Sequence, residues 1–183
     1  MAVEEKAIKK DHLYDVDRVF VRGLTFPKYA LREEVERIRK QPRVIHAREL
    51  PNKGGPQTWN RWLMDPQMGL SQSIVSHMVN LCPGGRSQRH GHMNEAVFYI
   101  LDGKGYDIHD GKRYDYEAGD VVIVHNGCVH QHFNADSQKP LRALVIKSKP
   151  LYLFMNLIFQ ASVVPTPKDP VPGFEGWEPT EIG

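Results

Sequence analysis

Hydrophobic residues between positions 73 and 147 fall into short runs, separated by turn residues. The runs SIVSHMVNL, EAVFYIL, YDIHD, DVVIVH, HQHF and LRALVIK are rich in β-branched and aromatic side chains. Clusters of Gly, Pro, Asn and Asp separate them, and Asp110-Gly111 between two strand-like segments is a strong hairpin signal. Short strands at this regular spacing predict an all-β barrel or sandwich.

The flanking segments have other patterns. Pro27 followed by KYALREEVERIRKQ predicts a helix. Residues 50–72 hold enough Pro and Gly to predict loops around a short piece that contains Trp59 and Trp62. The apolar segment 151–160 is compatible with a strand or a helix. We therefore expect an N-terminal extension of helix and loops over 1–72, a barrel over 73–164 and an extended Pro-rich tail over 165–183.

Composition and charge argue against some classes of binding partner and indicate a cellular location. The chain has a formal net charge of +2, and 40% hydrophobic and 25% charged residues are ordinary for a globular protein. Acidic residues interrupt every basic run, which argues against a nucleic-acid partner. The apolar stretch 151–164 is too short to span a bilayer, so no membrane association is expected. The N-terminus has no apolar secretory core and only two cysteines occur, so we expect a cytoplasmic protein.

Histidines are concentrated in the barrel region. Six of the nine lie between positions 90 and 132. His90 and His92 are two residues apart, as are His130 and His132, so each pair projects from one face of a strand. Neutral imidazoles suit Fe, Zn, Cu and Ni better than the hard ions Mg and Ca. The two pairs therefore predict a transition-metal site.

The spacing around these histidines resembles the two motifs of the cupin family. The stretch from Gly84 to Gly103 has a Gly, five residues, His-x-His, an acidic residue and a closing Gly. The stretch GDVVIVHNGCVHQHFN, from Gly119 to Asn134, resembles the second motif. The resemblance implies a cupin-type double-stranded β-helix, or jelly-roll barrel. It also implies metal ligands at His90, His92 and His130.

The acidic ligand of the commonest cupin pattern is missing. Counting back from Gly103, its position is Ala96, and Glu95 lies one residue early. Alternation along a regular strand would direct Glu95 to the face opposite His90 and His92. The sequence therefore favours three histidine ligands without a carboxylate, although a bulge could make Glu95 a fourth ligand.

The pattern His-x-His-xxx-Ala is similar to that of gentisate 1,2-dioxygenase and its relatives. These are cupins whose Fe(II) is held by three histidines. That resemblance implies that the site holds one divalent transition metal. Fe(II) is the metal it favours, and Mn, Ni and Zn are the alternatives. Three neutral ligands would leave the full metal charge available to a small, anionic, oxygen-bearing substrate and to O₂.

Several other side chains are candidates for contact with the substrate. Gln88 shares strand parity with His90, and His77 and Arg142 lie on neighbouring strands, where either could hold a carboxylate. His125 replaces the usual Pro of the second motif and could border the cavity. We assign His132 and Glu95 as candidate catalytic acid or base residues.

One fold is compatible with three functions, and the fold alone does not choose among them. The first is a non-haem metal dioxygenase acting on a substrate such as a hydroxylated aromatic acid. The second is a metal-dependent isomerase, lyase or decarboxylase, and the third is a non-catalytic cupin that binds a small ligand. Because barrels of this size commonly pair through sheet edges, we also expect a homodimer.

Overall fold

The structure is a computed structural model and describes residues 36–180, except residues 38, 69 and 72. The chain divides into two compact units, Met1–Arg43 and Val44–Gly183. In the first unit, residues 36, 37 and 39 are helical, and the rest of the helix predicted after Pro27 lies outside the described residues. The second unit contains all the strands described here.

Eleven strands and one short α-helix build the second unit. In chain order they are β1 (Lys53–Gly54), β2 (Thr58–Met64), β3 (Val75–Leu81), β4 (Arg89–His92), β5 (Ala96–Asp102), β6 (Lys104–His109), β7 (Lys112–Glu117), β8 (Val121–Val124), β9 (Val129–Asn134), β10 (Leu141–Lys147), α1 (Lys149–Phe154) and β11 (Gln160–Val164). Two 3₁₀ turns, Ala47–Glu49 and Pro66–Met68, precede and follow β2.

The strands form two sheets in which every pairing is antiparallel. One sheet has the order β1-β2-β3-β10-β5-β8, and the other has the order β11-β4-β9-β6-β7. Consecutive strands often lie in different sheets, as in a jelly roll. The predicted all-β jelly-roll barrel is confirmed.

Alternation of side chains places the core between the sheets. On β5 the buried residues are Ala96, Phe98 and Ile100, and the residues between them face outward. The apolar cluster that fills the barrel is Val79, Leu81, Ala96, Phe98, Ile100, Tyr116, Val122, Val124, Cys128, Leu141, Ala143 and Val145.

Tight turns set the register of the neighbouring strands. Asp110 and Gly111 have φ angles of 47° and 86° and connect β6 to β7, as the hairpin signal predicted. Gly103, with φ of 85°, joins β5 to β6. A Cβ at this position would lie 2.7 Å from the carbonyl oxygen of Pro140, so the close approach of the two chain segments requires glycine.

Two segments differ from, or refine, what the sequence predicted. The short piece with Trp59 and Trp62, which the sequence placed between loops in 50–72, is the strand Thr58–Met64, and it pairs with β3. The segment 151–160, for which the sequence allowed a helix or a strand, contains parts of both. Helix α1 ends at Phe154, and strand β11 begins at Gln160. No helix in the described part of the chain is long and apolar enough to cross a bilayer.

Candidate metal centre

Three histidines converge inside the barrel at one end of the five-stranded sheet. His90 and His92 are the two inward-facing residues of β4, and His130 faces inward from β9. His90 and His130 are direct partners in the antiparallel register, so their side chains stand next to each other. One ring nitrogen from each histidine lies within 4.8 Å of the others, and all three side chains are buried.

The free nitrogens of this cluster fit a metal ion. Nδ1 of His92 lies 2.7 Å from the carbonyl oxygen of Asn94, and Nδ1 of His130 lies 3.1 Å from that of Cys128. Each carbonyl accepts a hydrogen bond from Nδ1–H, which leaves the lone pair of Nε2 free. Nε2 of His92, Nε2 of His130 and Nδ1 of His90 have no hydrogen-bond partner among the described residues. Buried polar atoms of this kind normally have a partner, and a divalent metal would supply it.

The same environment keeps these imidazoles neutral. Burial first, and then the positive charge of Lys147, lower the pKa of His90 to about 3 and that of His92 to about 4. Burial followed by repulsion from His132 and His90 lowers the pKa of His130 to about 2. Neutral imidazole is the form that binds metals, so the free site is already in its metal-binding protonation state at neutral pH.

In the part of the chain that the structure describes, no carboxylate joins the three histidines. Ala96 faces into the barrel and is 1% exposed, whereas Glu95 is exposed on the outside. The regular alternation of β5 therefore directs Glu95 away from the cavity, as its strand parity predicted, and leaves it without a role as a ligand or acid–base group in the cavity. The described residues around the metal site include three histidines and no acidic ligand.

A cavity of about 230 Å³ lies against the histidine cluster. Gln88 and His77 line it, as predicted for residues that contact a substrate. Arg142 and His125 do not. Arg142 donates from Nε to Oδ2 of Asp102 at 2.8 Å on the outer surface, and His125 is exposed beside an outer cleft.

His132 lines the cavity and is held by a buried carboxylate. Nδ1 of His132 lies 2.8 Å from Oδ1 of Asp107, which is fully buried. Tyr116 donates its hydroxyl proton to the same oxygen at 2.9 Å, and Nε2 of His109 lies 3.1 Å from Oδ2. Burial alone would raise the pKa of Asp107, but His132 and the hydrogen bonds from His109, His132 and Tyr116 lower it overall. Burial and the neighbouring carboxylate raise the pKa of Tyr116.

Sequence reasoning missed three residues of this region. Asp107 is buried on β6, as Gly105 is, and it pairs in register with His132. The sequence did not indicate this position, because an Asp in a strand usually faces solvent. Lys147 follows the alternating row of Leu141, Ala143 and Val145, so its inward position was visible in LRALVIK. Trp62 also lines the cavity, with its ring centroid 4.5 Å from that of His77.

Comparison with known proteins agrees with this fold and cluster. Residues 77–147 match the model of the cupin domain. Gentisate 1,2-dioxygenase from a Ralstonia species is 29% identical over 112 residues, which are 61% of this chain and 31% of that protein.

Two solved structures resemble the barrel. Salicylate 1,2-dioxygenase from Pseudoaminobacter salicylatoxidans, solved with gentisate, has a TM-score of 0.56 at 13% identity over 72% of this chain and 36% of the other. A protein from Thermotoga maritima described as a predicted oxalate decarboxylase has a TM-score of 0.51 at 22% identity, over 57% of this chain and 97% of the other. At these identities the likeness concerns the fold.

The match covers about a third of the length of the two dioxygenases. The cupin-domain match, residues 77–147, begins within β3 and ends with β10, and it contains all three histidines of the cluster. Residues 77–147 therefore match a cupin domain, and this part of the chain resembles the gentisate 1,2-dioxygenase group.

Proposed function

We propose that this cupin is a non-haem Fe(II) dioxygenase that oxidises a small, anionic, oxygen-bearing substrate, such as a hydroxylated aromatic acid. The metal would be held by His90, His92 and His130. The bound metal would supply a template for substrate and O₂ and would carry electrons between them. Mn, Ni and Zn remain alternative occupants of the same three histidines.

The observation that carries this proposal is the absence of a carboxylate at the cluster. Ala96 occupies the inward position of β5, and no Asp or Glu is among the described residues that line the cavity. A divalent ion on three neutral imidazoles keeps its full charge, which an anionic substrate is suited to balance. The similarity to gentisate and salicylate dioxygenases supports the same chemistry.

His132 is the proposed acid–base residue of the reaction. Because Asp107 accepts a hydrogen bond from Nδ1–H of His132, the neutral ring has its lone pair on Nε2. His132 lines the cavity, so Nε2 can take the proton of a substrate hydroxyl and return it later. Gln88 and His77 would orient the substrate by hydrogen bonds from the same cavity wall.

A lyase, isomerase or decarboxylase is the second candidate. The Asp107–His132 pair would serve proton transfer without O₂, and the similarity to the Thermotoga maritima protein supports this alternative. Both candidates need the metal and the cavity, so they differ in whether O₂ is consumed.

We also propose a cytoplasmic location and a homodimer. Both cysteines, Cys82 and Cys128, are free and buried, which suits a reducing compartment. The outer face of the six-stranded sheet has exposed apolar residues, and β8 is its edge strand. A second copy of this chain would cover that face.

The test is elemental analysis combined with oxygen uptake. Untagged protein should contain about one Fe per chain, and the double variant His90→Ala, His130→Ala should lose it. The matched control is His46→Ala, His125→Ala, which removes two exposed histidines. Oxygen consumption by the Fe(II)-loaded protein is then followed against a panel of hydroxylated aromatic acids and keto acids.

Each outcome decides between the candidates. Substrate-dependent oxygen consumption in the wild type and the control, but not in the ligand variant, supports the dioxygenase. Bound metal with turnover of an acid in the absence of O₂ would favour the lyase or decarboxylase. Equal metal contents in the wild type and the ligand variant would refute the three-histidine site.

A further inference from the structure

The inward row of β10 ends in a lysine. Leu141, Ala143 and Val145 are buried at alternate positions, and each is at most 1% exposed. Lys147 is the next residue of the same parity, so its side chain continues the row into the barrel. It is half-buried and lines the cavity together with His90 and His92.

Among the described residues, Lys147 has no anionic partner. Its ammonium group makes no hydrogen bond or ion pair with any described residue, and no Asp or Glu is among the described residues that line the cavity. A half-buried ammonium group without a counter-charge is unfavourable, so an anion that enters the cavity gains a strong partner.

A second lysine adds to the positive charge. Lys149 also lines the cavity, and its Nζ donates to Oε1 of Gln160 at 3.3 Å, so Lys149 is anchored at the rim. Burial first, and then repulsion from Lys149, lower the pKa of Lys147 to about 8. Lys147 is still mainly charged at neutral pH.

The strand neighbours of Lys147 leave room for an anion. Lys147 pairs in register with Ala96 on β5 and with Val75 on β3. Ala96 is the inward residue beside the lysine, and its methyl group neither neutralises the charge nor fills the space. Trp62 also lines the cavity, and its ring packs against His77.

We propose that Lys147 binds the carboxylate of the substrate, while Trp62 and His77 contact the rest of the molecule. This inference rests on the proposed function in one respect, that the same substrate reaches the three histidines. A cavity of about 230 Å³ is below the roughly 300 Å³ at which sites for drug-sized ligands begin. The substrate class is therefore a one-ring or short-chain carboxylic acid with a second oxygen that faces the metal.

Calorimetric titration of the Zn(II)-loaded protein tests the proposal without turnover. The two probes are 2-hydroxybenzoate and catechol. Both have a benzene ring with one hydroxyl group, and 2-hydroxybenzoate has a carboxylate where catechol has a second hydroxyl group. Lys147→Met should weaken 2-hydroxybenzoate binding by roughly 10- to 100-fold, the range of a hydrogen bond to a charged group. Catechol binding should change by less than about threefold, since the uncharged hydroxyl gains much less from the ammonium.

Two further variants control for charge and shape. Lys168→Met removes the same charge from an exposed position outside the cavity and should leave both affinities unchanged. Lys147→Arg keeps the charge and should retain 2-hydroxybenzoate binding to within about tenfold. Zinc content and thermal unfolding of each variant establish that the site and fold are intact.

A measurement on the wild type keeps the test independent of folding of the variants. The lysines are ¹³C-dimethylated, and the Lys147 resonance is assigned by its loss in Lys147→Arg. Addition of 2-hydroxybenzoate should shift this resonance more than any other, and catechol should not. An unmoved Lys147 resonance, equal losses for both probes in Lys147→Met, or no carboxylate binding by the wild type would overturn the proposal.

The outcomes separate this proposal from the proposed function. Carboxylate binding that depends on Lys147, without oxygen consumption, would support the anion site and refute the dioxygenase. Oxygen consumption that is equal in the wild type and Lys147→Met, with equal 2-hydroxybenzoate affinities, would support the dioxygenase and refute the anion site.

Discussion

Nδ1 of His132 lies 2.8 Å from Oδ1 of Asp107, and the two residues are also direct partners in the pairing of β6 with β9. The backbone register therefore fixes the contact as much as the hydrogen bond does. With Nδ1 directed at the carboxylate, the orientation of the imidazole in the cavity is set by a residue that does not line the cavity itself. Asp107 is a positioning residue in this arrangement.

Replacing Asp107 by Asn should destabilise the protein and alter His132 while leaving metal binding intact. Removing the charge from a buried network of two histidines and a tyrosine costs on the order of 3 kcal/mol. Urea unfolding measures the loss, and ¹⁵N NMR of the imidazole reports the change of tautomer. The control is Asp115→Asn, an exposed partner of Arg113, for which little change is expected. An unaltered His132 spectrum in Asp107→Asn would contradict the positioning role.

Metal binding should release almost no protons at pH 6. The pKa values of His90, His92 and His130 are about 3, 4 and 2, so all three rings are already neutral in the free protein at that pH. Three unperturbed histidines with pKa values near 6.5 would release about two protons together. Calorimetry of Zn(II) binding in buffers of different ionisation enthalpy counts the protons released. Affinity should be nearly constant from pH 7 to 5 and fall only as pH approaches about 4, where His92 begins to be protonated. Release of two protons at pH 6 would refute the neutral site.

Ala96→Glu should place a carboxylate beside Lys147, since the two positions pair in register. The new anion would compete with the substrate carboxylate, so the affinity for 2-hydroxybenzoate should fall about tenfold or more. Bound metal should be retained, because a carboxylate near three imidazoles adds a possible ligand. Val97→Glu is the matched control, with the same charge on the outer face of the same strand. Equal affinities in the two variants would contradict the placement of Lys147.

Arg142→Ala should have little effect on the site. Arg142 forms an ion pair with Asp102, whose side chain is 56% exposed, and surface pairs of this kind contribute less than about 1 kcal/mol. We therefore expect a small change in the urea midpoint and unchanged binding of 2-hydroxybenzoate. A large loss of affinity would mean that Arg142 leaves Asp102 and reaches the substrate.

Ile123→Lys should weaken the proposed homodimer. Ile123 is 51% exposed on β8, the edge strand of the six-stranded sheet, and a lysine there would place a charge in an apolar interface. Sedimentation equilibrium should show a dimer for the wild type and a shift toward monomer for the variant. Lys104→Ala, a substitution on the other sheet, should leave the association unchanged. A monomeric wild type would refute the dimer.

The sequence predicted most of what depends on local spacing. The strand Leu141–Lys147 has the predicted bounds, and the alternation of His90 and His92 placed both imidazoles on one face. Arg142 was assigned to the cavity although its parity is opposite to that of Ala143 and Val145. Its outward direction could have been derived from that alternation alone.

What the sequence did not reveal depends on contacts between distant strands. The pairing of Asp107 with His132, and of Lys147 with Ala96, is decided by register across the sheets. The strand Thr58–Met64 is stabilised by its pairing with β3, which no local pattern indicated. Such pairings follow from the whole barrel, so single-strand patterns could identify the ligands but not the residues that surround them.

The strand that carries His90 and His92 is an inner strand only because β11 pairs with its free edge. Every residue of β11 is exposed, so we expect this strand to be held mainly by backbone hydrogen bonds and to separate more readily than the buried strands. When β11 separates, the backbone of the ligand strand becomes open to water. We therefore expect metal dissociation and amide hydrogen exchange in β4 to share one local opening step, so that a segment that supplies no ligand would influence the lifetime of a bound metal.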